Sequence, residues 1–424
     1  MTSPHRADDK NKMAASRECS SSKWEKLIEL QEILQREEKI KQIKRRCFSD
    51  NNCGTGSGTS ELSTTRTRNV SREDVLRQLE SVIEDILTSI SHQQPPLLTY
   101  NSRSRWDNIQ FTDDVGLEMK GKPALTEVRF DAANSVKKFG ITLRVVAMCY
   151  TLVQSNTYST KRDLYYNDTK LFGSQSTLDE TMENICCMLN VPRRSLHVLA
   201  TSKGFIAGDL KFTEVDGNHV DCSTSKTGVL VPVHVQDISN VQSRARFVLV
   251  VEKDATFQKL LDDGMLEDMW PCIIITGKGF PDVNTRLMVR KLWTTLQIPI
   301  LGLVDADPHG LEILCVYKFG SKSMSYESHS LTVPCIRWLG ILPSDIDRLQ
   351  VPRDALIPLS KSDLRKAKEL MRRPYYKHLP DWMKEMQVLL DLGRKAEIQC
   401  LTAISRDYLT KVYVPSKIKY GGWI

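Results

Sequence analysis

From about residue 246 the chain alternates short, wholly apolar runs with helical periods, and this pattern limits the fold more than any other. Residues 247–251, 272–276 and 300–304 read as strands, and residues 255–261, 281–296 and 310–317 read as helices. A strand without polar alternation has no face to give to water, so such runs belong in a parallel α/β sheet covered on both sides. In sheets of that kind ligands gather at the carboxyl ends of the strands.

Those ends are acidic. The first run finishes in Val250-Val251-Glu252-Lys253-Asp254 and the third in Val304-Asp305-Ala306-Asp307-Pro308-His309-Gly310. Asp305 and Asp307 can converge on one cation while Glu252 approaches from a neighbouring strand, an all-oxygen set that suits Mg²⁺. Either half alone reads equally well as a cap on the helix that follows. Together, at matching strand ends, they point to metal. Between them lies Gly277-Lys278-Gly279-Phe280-Pro281-Asp282, which lacks the full P-loop pattern, so no nucleotide site is expected. Phe280 reads as a wedge against a base or as a core residue.

A second unusual stretch is Thr160-Lys161-Arg162-Asp163-Leu164-Tyr165-Tyr166. On a helix, Arg162 and Tyr166 share a face at i,i+4, whereas Tyr165 points about 100° away. A free phenol, with a pKa of about 10, is ionised in roughly one molecule per thousand at neutral pH, a handicap of about 4 kcal/mol. A tyrosine nucleophile therefore needs cationic help, and Arg162 is placed to give it.

The chain before the sheet supports a separate domain. Residues 1–22 are polar, residues 22–46 read as an exposed helix, and a Gly/Ser/Thr/Asn-rich linker spans residues 49–69. Ser71 then caps an amphipathic helix bearing Val75, Leu79, Val82, Ile83, Ile86, Leu87 and Ile90, which must dock on a domain face or a second protein. A polar, loop-like region carrying Trp106 follows. Helices are predicted over 134–152 and 178–189, the latter capped by Ser176 or Thr177, and extended pieces over 195–201 and 205–212. Three helices followed by strand pairs is the order of a winged helix-turn-helix, with the tyrosines near the recognition helix and Arg193, Arg194, Lys203 and Lys211 around the wing. Beyond the sheet, residues 326–339 read as an extended apolar run, a helix starts at Leu342-Pro343-Ser344-Asp345, and a basic, aromatic tail fills residues 411–424, either touching nucleic acid or tucked onto the domain.

Composition narrows the function classes. The 59 basic and 52 acidic residues leave +7, which permits a polyanionic partner without demanding one. The 11 cysteines form no Cys-x-x-Cys pair, and the 8 histidines do not cluster near them, so neither a zinc ribbon nor a disulfide framework is indicated and a reducing compartment is expected. No signal peptide or membrane-length apolar run is present in the sequence, which predicts a soluble intracellular protein.

In that order, Arg162-Asp163-Leu164-Tyr165-Tyr166, Val251-Glu252-Lys253-Asp254 and Asp305-Ala306-Asp307-Pro308-His309-Gly310 resemble the family of the meiotic double-strand-break transesterase, whose relative is the topoisomerase VI A subunit. Thr201-Ser202-Lys203-Gly204, Gly277 to Asp282, Asn284-Thr285-Arg286 and the ending Gly421-Gly422-Trp423-Ile424 match as well, so the resemblance spans residues 71–424. It implies a polar arm with an exposed helix and linker (1–70), a catabolite-activator-like winged-helix domain carrying the catalytic tyrosine (71–235), and a Toprim-type parallel α/β domain with a C-terminal extension (236–424). Carried over by motif, Tyr166 is the nucleophile, Arg162 stabilises the phosphate, Glu252, Asp305 and Asp307 hold Mg²⁺ or Mn²⁺, and Lys203 and Phe280 contact DNA. The implied enzyme is a type IIB topoisomerase-like transesterase of the isomerase class, which breaks both strands of meiotic DNA through 5′-phosphotyrosyl links and so starts homologous recombination. It is expected in the nucleus, on chromosomes, as a homodimer with composite sites on double-stranded DNA. Further meiotic recombination proteins and a B-type, GHKL ATPase-like topoisomerase subunit are the implied partners, with no membrane involved. Two rival readings are a non-catalytic winged-helix DNA-binding protein and a Toprim nuclease that uses water.

Overall fold

The computed structural model describes residues 24–38, 70–103, 105–121 and 123–424. Its centre is a six-stranded sheet formed by β1 (Phe205–Gly208), β2 (Val229–Leu230), β3 (Val248–Val251), β4 (Ile273–Thr276), β5 (Ile300–Leu303) and β6 (Arg337–Gly340), in the order β2-β1-β4-β3-β5-β6. β4, β3, β5 and β6 run parallel, with Val248 level with both Ile273 and Ile300, and β1 lies antiparallel to β4 and β2.

Alternate side chains of these strands enter two different cores. Val248, Val250, Ile273, Ile275 and Ile300 face one, while Leu249, Val251, Ile274, Leu301 and Leu303 face the other. The period of two explains why the runs are apolar throughout: each strand is inside on both faces. The first core is closed by α7 (Val283–Leu296) and α8 (Pro308–Phe319). The second is closed in part by α6 (Asp254–Asp262) and by the helix Val414–Tyr420.

Helix α1 (residues 24–38) closes it further, which corrects the expectation of an exposed arm helix. Trp24, Leu27 and Leu30 recur at i, i+3 and i+6 and are 7%, 1% and 6% exposed, with Arg246 stacked over the Trp24 ring at 5.2 Å. The charged residues between them occupy the outer face, so composition suggested a solvated helix while the stripe made a docking surface. The polar arm and the linker lie outside the described residues, at 1–23 and 39–69.

Ahead of the sheet stand α2 (Arg72–Ser91), α3 (Val136–Ser155), α4 (Lys161–Asn167) and α5 (Gln175–Leu189). Val75 and Leu79, Ile141, Val145 and Cys149, Leu164, and Leu178, Met182 and Ile185 share a third core. The region around Trp106 is not a loop: antiparallel pairs join Leu97–Asn101 to Leu125–Arg129 and Ile109–Thr112 to Gly116–Met119. α5 is capped by Ser174 rather than Ser176 or Thr177. Residues 326–339 are not one extended run but short helices, Lys322–Glu327 and Ser328–Leu331, leading to β6.

The strands assigned to a wing are placed differently. Residues 205–208 pair with β4 of the central sheet, and Lys211–Thr213 joins His219–Asp221 and Ser239–Gln242 in a separate three-stranded sheet. After α5, the strand pairing on the tyrosine side is the two-residue parallel contact of Ser159–Thr160 with Val198–Leu199. Ile206 and Ala207 are fully buried, so this piece is stabilised by a sheet with two covered faces, and sequence periodicity cannot say which sheet recruits a strand. The basic tail is ordered on the domain: Lys417 Nζ meets buried Asp345 at 2.7 Å, and Ile424 and Trp338 exchange backbone hydrogen bonds.

Candidate active site

Glu252 follows β3 and Asp305 follows β5. The Asp305 amide donates to Glu252 Oε2 at 2.8 Å, which joins the two strand ends directly. Asp305 Oδ1 accepts from the Ile398 amide at 2.9 Å, and Lys253 Nζ lies 2.8 Å from Asp305 Oδ2. Asp307 is the N-cap of α8, accepting from the Gly310 amide at 2.7 Å, with Lys395 Nζ 3.8 Å away. Helix capping therefore accounts for Asp307 but leaves Glu252 and Asp305, both almost fully buried, without that explanation. Gly310 is needed here, because a Cβ would stand 2.6 Å from the Asp305 carbonyl and 3.0 Å from Glu252 Oε2.

Burial, then the charge of Asp305, pushes the Glu252 carboxyl up to about 8. Burial also raises Asp305, although Lys253 and the Ile398 amide oppose it. The negative charge of the cluster is thus compensated only in part by the chain itself. An oxygen-only donor set with excess buried negative charge fits a hard divalent cation. Among the described residues no group of three or more acidic, His or Cys side chains stands ready to hold a metal ion, Glu252, Asp305 and Asp307 included.

The Gly-Lys-Gly turn is fastened to this cluster. The Gly279 amide donates to the Glu252 carbonyl at 2.8 Å, with Lys278 and Gly279 both left-handed at φ 53° and 89°. Lys203 reaches the same turn from the loop before β1, its Nζ donating to the Lys278 carbonyl at 3.4 Å and its amide to Asp282 at 3.4 Å. Lys203 and Phe280, 79 and 28 residues from Asp282 and Glu252 respectively in sequence, thereby share one patch beside the carboxylates. Phe280 is 47% exposed, which removes the core-packing alternative.

Tyr166 stands on α4, a short helix held by a reciprocal cap: the Asp163 amide donates to Thr160 Oγ1 at 3.2 Å and the Thr160 amide to Asp163 Oδ2 at 3.0 Å. Leu164 anchors it in the core, and Tyr165 packs on Phe172 with ring centroids 6.4 Å apart. Tyr166 is 68% exposed and Arg162 is exposed with it. Among the described residues the Tyr166 hydroxyl has no hydrogen-bond partner and touches none of the three carboxylates. The structure thus brings together Glu252, Asp305, Asp307, Lys203 and Phe280, and leaves Tyr166 with Arg162 as a separate half.

Two residues of the site escaped sequence reading. Lys253 adjoins Glu252, so its role as counter-charge to Asp305 had an available signal in that adjacency. Lys395, which meets both Asp307 and Asp363, had none, being far away in the chain.

Two family models match the chain in two separate stretches. Residues 137–198 match the family described as type IIB DNA topoisomerase, and residues 247–418 match the Toprim domain shared by Spo11 and the topoisomerase 6 A-type chain. The chain is 53% identical over 367 residues to the human meiotic recombination protein SPO11, covering 87% of this chain and 93% of that one. The mouse protein of the same name is 52% identical over the same shares. The A-type chain of DNA topoisomerase 6 from Arabidopsis thaliana is 38% identical over 351 residues, 82% of this chain and 81% of the relative. The chain therefore belongs to the family of SPO11 meiotic recombination proteins and topoisomerase 6 A-type chains.

Proposed function

We propose that the protein is a topoisomerase-like DNA transesterase that makes double-strand breaks in meiosis and thereby initiates homologous recombination, acting in the nucleus on chromosomal DNA. The observation that carries this reading is the pairing of a solvent-exposed tyrosine on a capped helix with a separate acidic site fastened to the Gly277–Gly279 turn. On this reading α3 to α5 serve as the winged-helix, DNA-facing module within residues 71–235, and the sheet is the core of the Toprim domain.

Tyr166 Oη attacks a backbone phosphorus. The new bond is O–P to tyrosine, and the bond that breaks is P–O3′. The phenolic proton leaves to solvent, the 3′ oxygen takes up a proton, and a 5′-phosphotyrosyl link remains with no water consumed. Arg162, one turn away on the same face, offsets the charge that builds on the phosphate. Glu252, Asp305 and Asp307 would hold Mg²⁺ or Mn²⁺, which when bound supplies electrostatic stabilisation at the phosphate. Lys203 holds backbone and Phe280 packs against DNA, keeping the scissile phosphate still.

Because the phenol and the carboxylates do not meet within one chain, the working unit on this reading is a homodimer in which Tyr166 of one protomer faces the acidic site of its partner. α2 presents Ile83, Leu87 and Ile90 to solvent at 40%, 59% and 55% exposure, a face suited to a protein partner, here assigned to a B-type, GHKL ATPase-like subunit.

The test is covalent capture. Protein with Mg²⁺ and end-labelled duplex is stopped in denaturant, and a protease-sensitive protein–DNA adduct is expected that disappears in Tyr166→Phe. An adduct that survives the substitution would move the nucleophile elsewhere, and cut DNA without any adduct would transfer the chemistry to water.

A further inference from the structure

On the far side of the acidic site runs a cationic helix that the mechanism does not use. Helix α9 (Lys361–Met371) starts at a Ser360–Asp363 capping box, and Asp363 is tied by Lys395 at 3.1 Å, the same lysine that lies 3.8 Å from Asp307. The first turn of α9 is therefore held against the carboxylate cluster. Ala367 and Leu370 face the core. On the opposite face Lys361, Arg365, Lys368 and, just past the end, Arg372 are all exposed.

Spacings of four, three and four residues put these cations on one stripe, about 16 Å long at 1.5 Å per residue. Among the described residues none of the four has a carboxylate partner, whereas their neighbours Lys366 and Arg373 are both taken up by Glu312. The stripe is also one wall of an open groove of ≈ 760 Å³, whose other wall includes the indole of Trp106. Trp106 is 37% exposed, and the guanidinium of Arg373 lies 6.0 Å from its ring. A solvated helix face needs neither a groove nor an aromatic wall.

We infer that this groove is a second DNA-binding surface, which grips the sugar–phosphate backbone of the duplex arm leaving the acidic site, without reading sequence. One DNA strand presents about five phosphates over the length of the stripe, enough to engage all four cations. The flat indole packs against sugar at the edge of the track. An acidic protein segment would also be drawn to the stripe, but nothing would then require it to start at the carboxylate cluster. The inference rests on the proposed function in taking DNA as the ligand and the acidic site as the place where it is cut.

The experiment uses the full-length chain carrying Tyr166→Phe, so that binding is measured without cutting. Fluorescence anisotropy follows two labelled duplexes, one just spanning the cleavage site and one extended on both sides, across a range of salt. Replacing Lys361, Arg365, Lys368 and Arg372 together by alanine is expected to weaken the longer duplex alone and to reduce the slope of log affinity against log salt by about 3.6. Trp106→Ala is expected to weaken the longer duplex while leaving that slope unchanged. An unchanged slope in the fourfold variant overturns the inference. So does equal weakening of the short duplex, or displacement of the long duplex by polyglutamate as readily as by unlabelled DNA. Adduct formation by the unsubstituted chain is scored separately, so loss of the transesterase reading and loss of this one give different results.

Discussion

The acidic site and the tyrosine helix are opposites in construction. Glu252 and Asp305 are buried and joined by a hydrogen bond from the Asp305 amide to the Glu252 carboxylate, and Lys253 counter-charges Asp305. Tyr166 is exposed on a seven-residue helix, and among the described residues its hydroxyl has no hydrogen-bond partner. A cluster of like charges must be built into a core, because only burial and fixed neighbours hold carboxylates together against their repulsion. A nucleophile that has to reach DNA must instead remain outside. On the proposed function, the difference teaches that the carboxylates are gathered on folding while the tyrosine waits for an encounter.

The sharpest way to break this comparison is to separate the halves onto different chains. Tyr166→Phe and Asp305→Asn are each expected to abolish detectable adduct or reduce it by at least about 10²-fold. Mixed dimers of the two variants should regain cutting of a single strand, read as nicked rather than broken duplex. No recovery in the mixture would place both halves in one protomer. Tyr165→Phe, by contrast, should retain adduct formation within a few-fold.

The next effect is on stability. Leu27→Ala is expected to cost about 2–5 kcal/mol in denaturant unfolding, as for other large-to-small core changes. A solvated α1 would instead show a change within about 0.5 kcal/mol. Tyr166→Phe, at an exposed position, should fall in that smaller range and so confirm that its effect is chemical.

A smaller effect is expected at the joint between the two regions. Tyr326 donates to Glu183 of α5 at 2.7 Å, and neighbouring Glu327 is pushed up to about 7 by burial and by Glu183, against the pull of Arg286 and Arg193. A carboxyl raised in the folded state contributes stability that is fully present below its unfolded pKa of about 4.5 and is lost as pH rises through about 7. Glu327→Gln should therefore raise the melting temperature at pH 8 and leave it little changed at pH 4, and equal shifts at both would remove Glu327 from the pH dependence. Smallest of all, Thr160→Ala should cost about 0.5–2 kcal/mol through loss of the α4 cap, read as faster amide exchange over residues 161–167.

Much of the site was legible because its residues lie at the ends of strongly patterned elements. The apolar runs ending at Val251 and Leu303 announced where Glu252 and Asp305 would emerge, whereas the Thr160–Asp163 cap that starts α4 went unread. Less legible were features without a local period. Phe205–Gly208 is as apolar as a wing strand or a sheet edge would be, and the hairpins around Trp106 are too short and polar to stand out. α1 carried the correct stripe, yet its charge density favoured the solvated reading until the second core was found to need a cover.

By itself the sequence determined the main helices and the parallel strands, the strand ends that carry carboxylates, and the helical register that puts Arg162 and Tyr166 on one face, because these follow from periods of 2 and 3.6. Only the tertiary structure decided that Lys203 and Phe280 share a patch with Glu252, that Lys395 links Asp307 to the start of a cationic helix, and that Tyr166 stays apart from the acidic site. Those pairings join residues 28 to 88 positions apart. They are set by which buried faces fit together, and no local period encodes that.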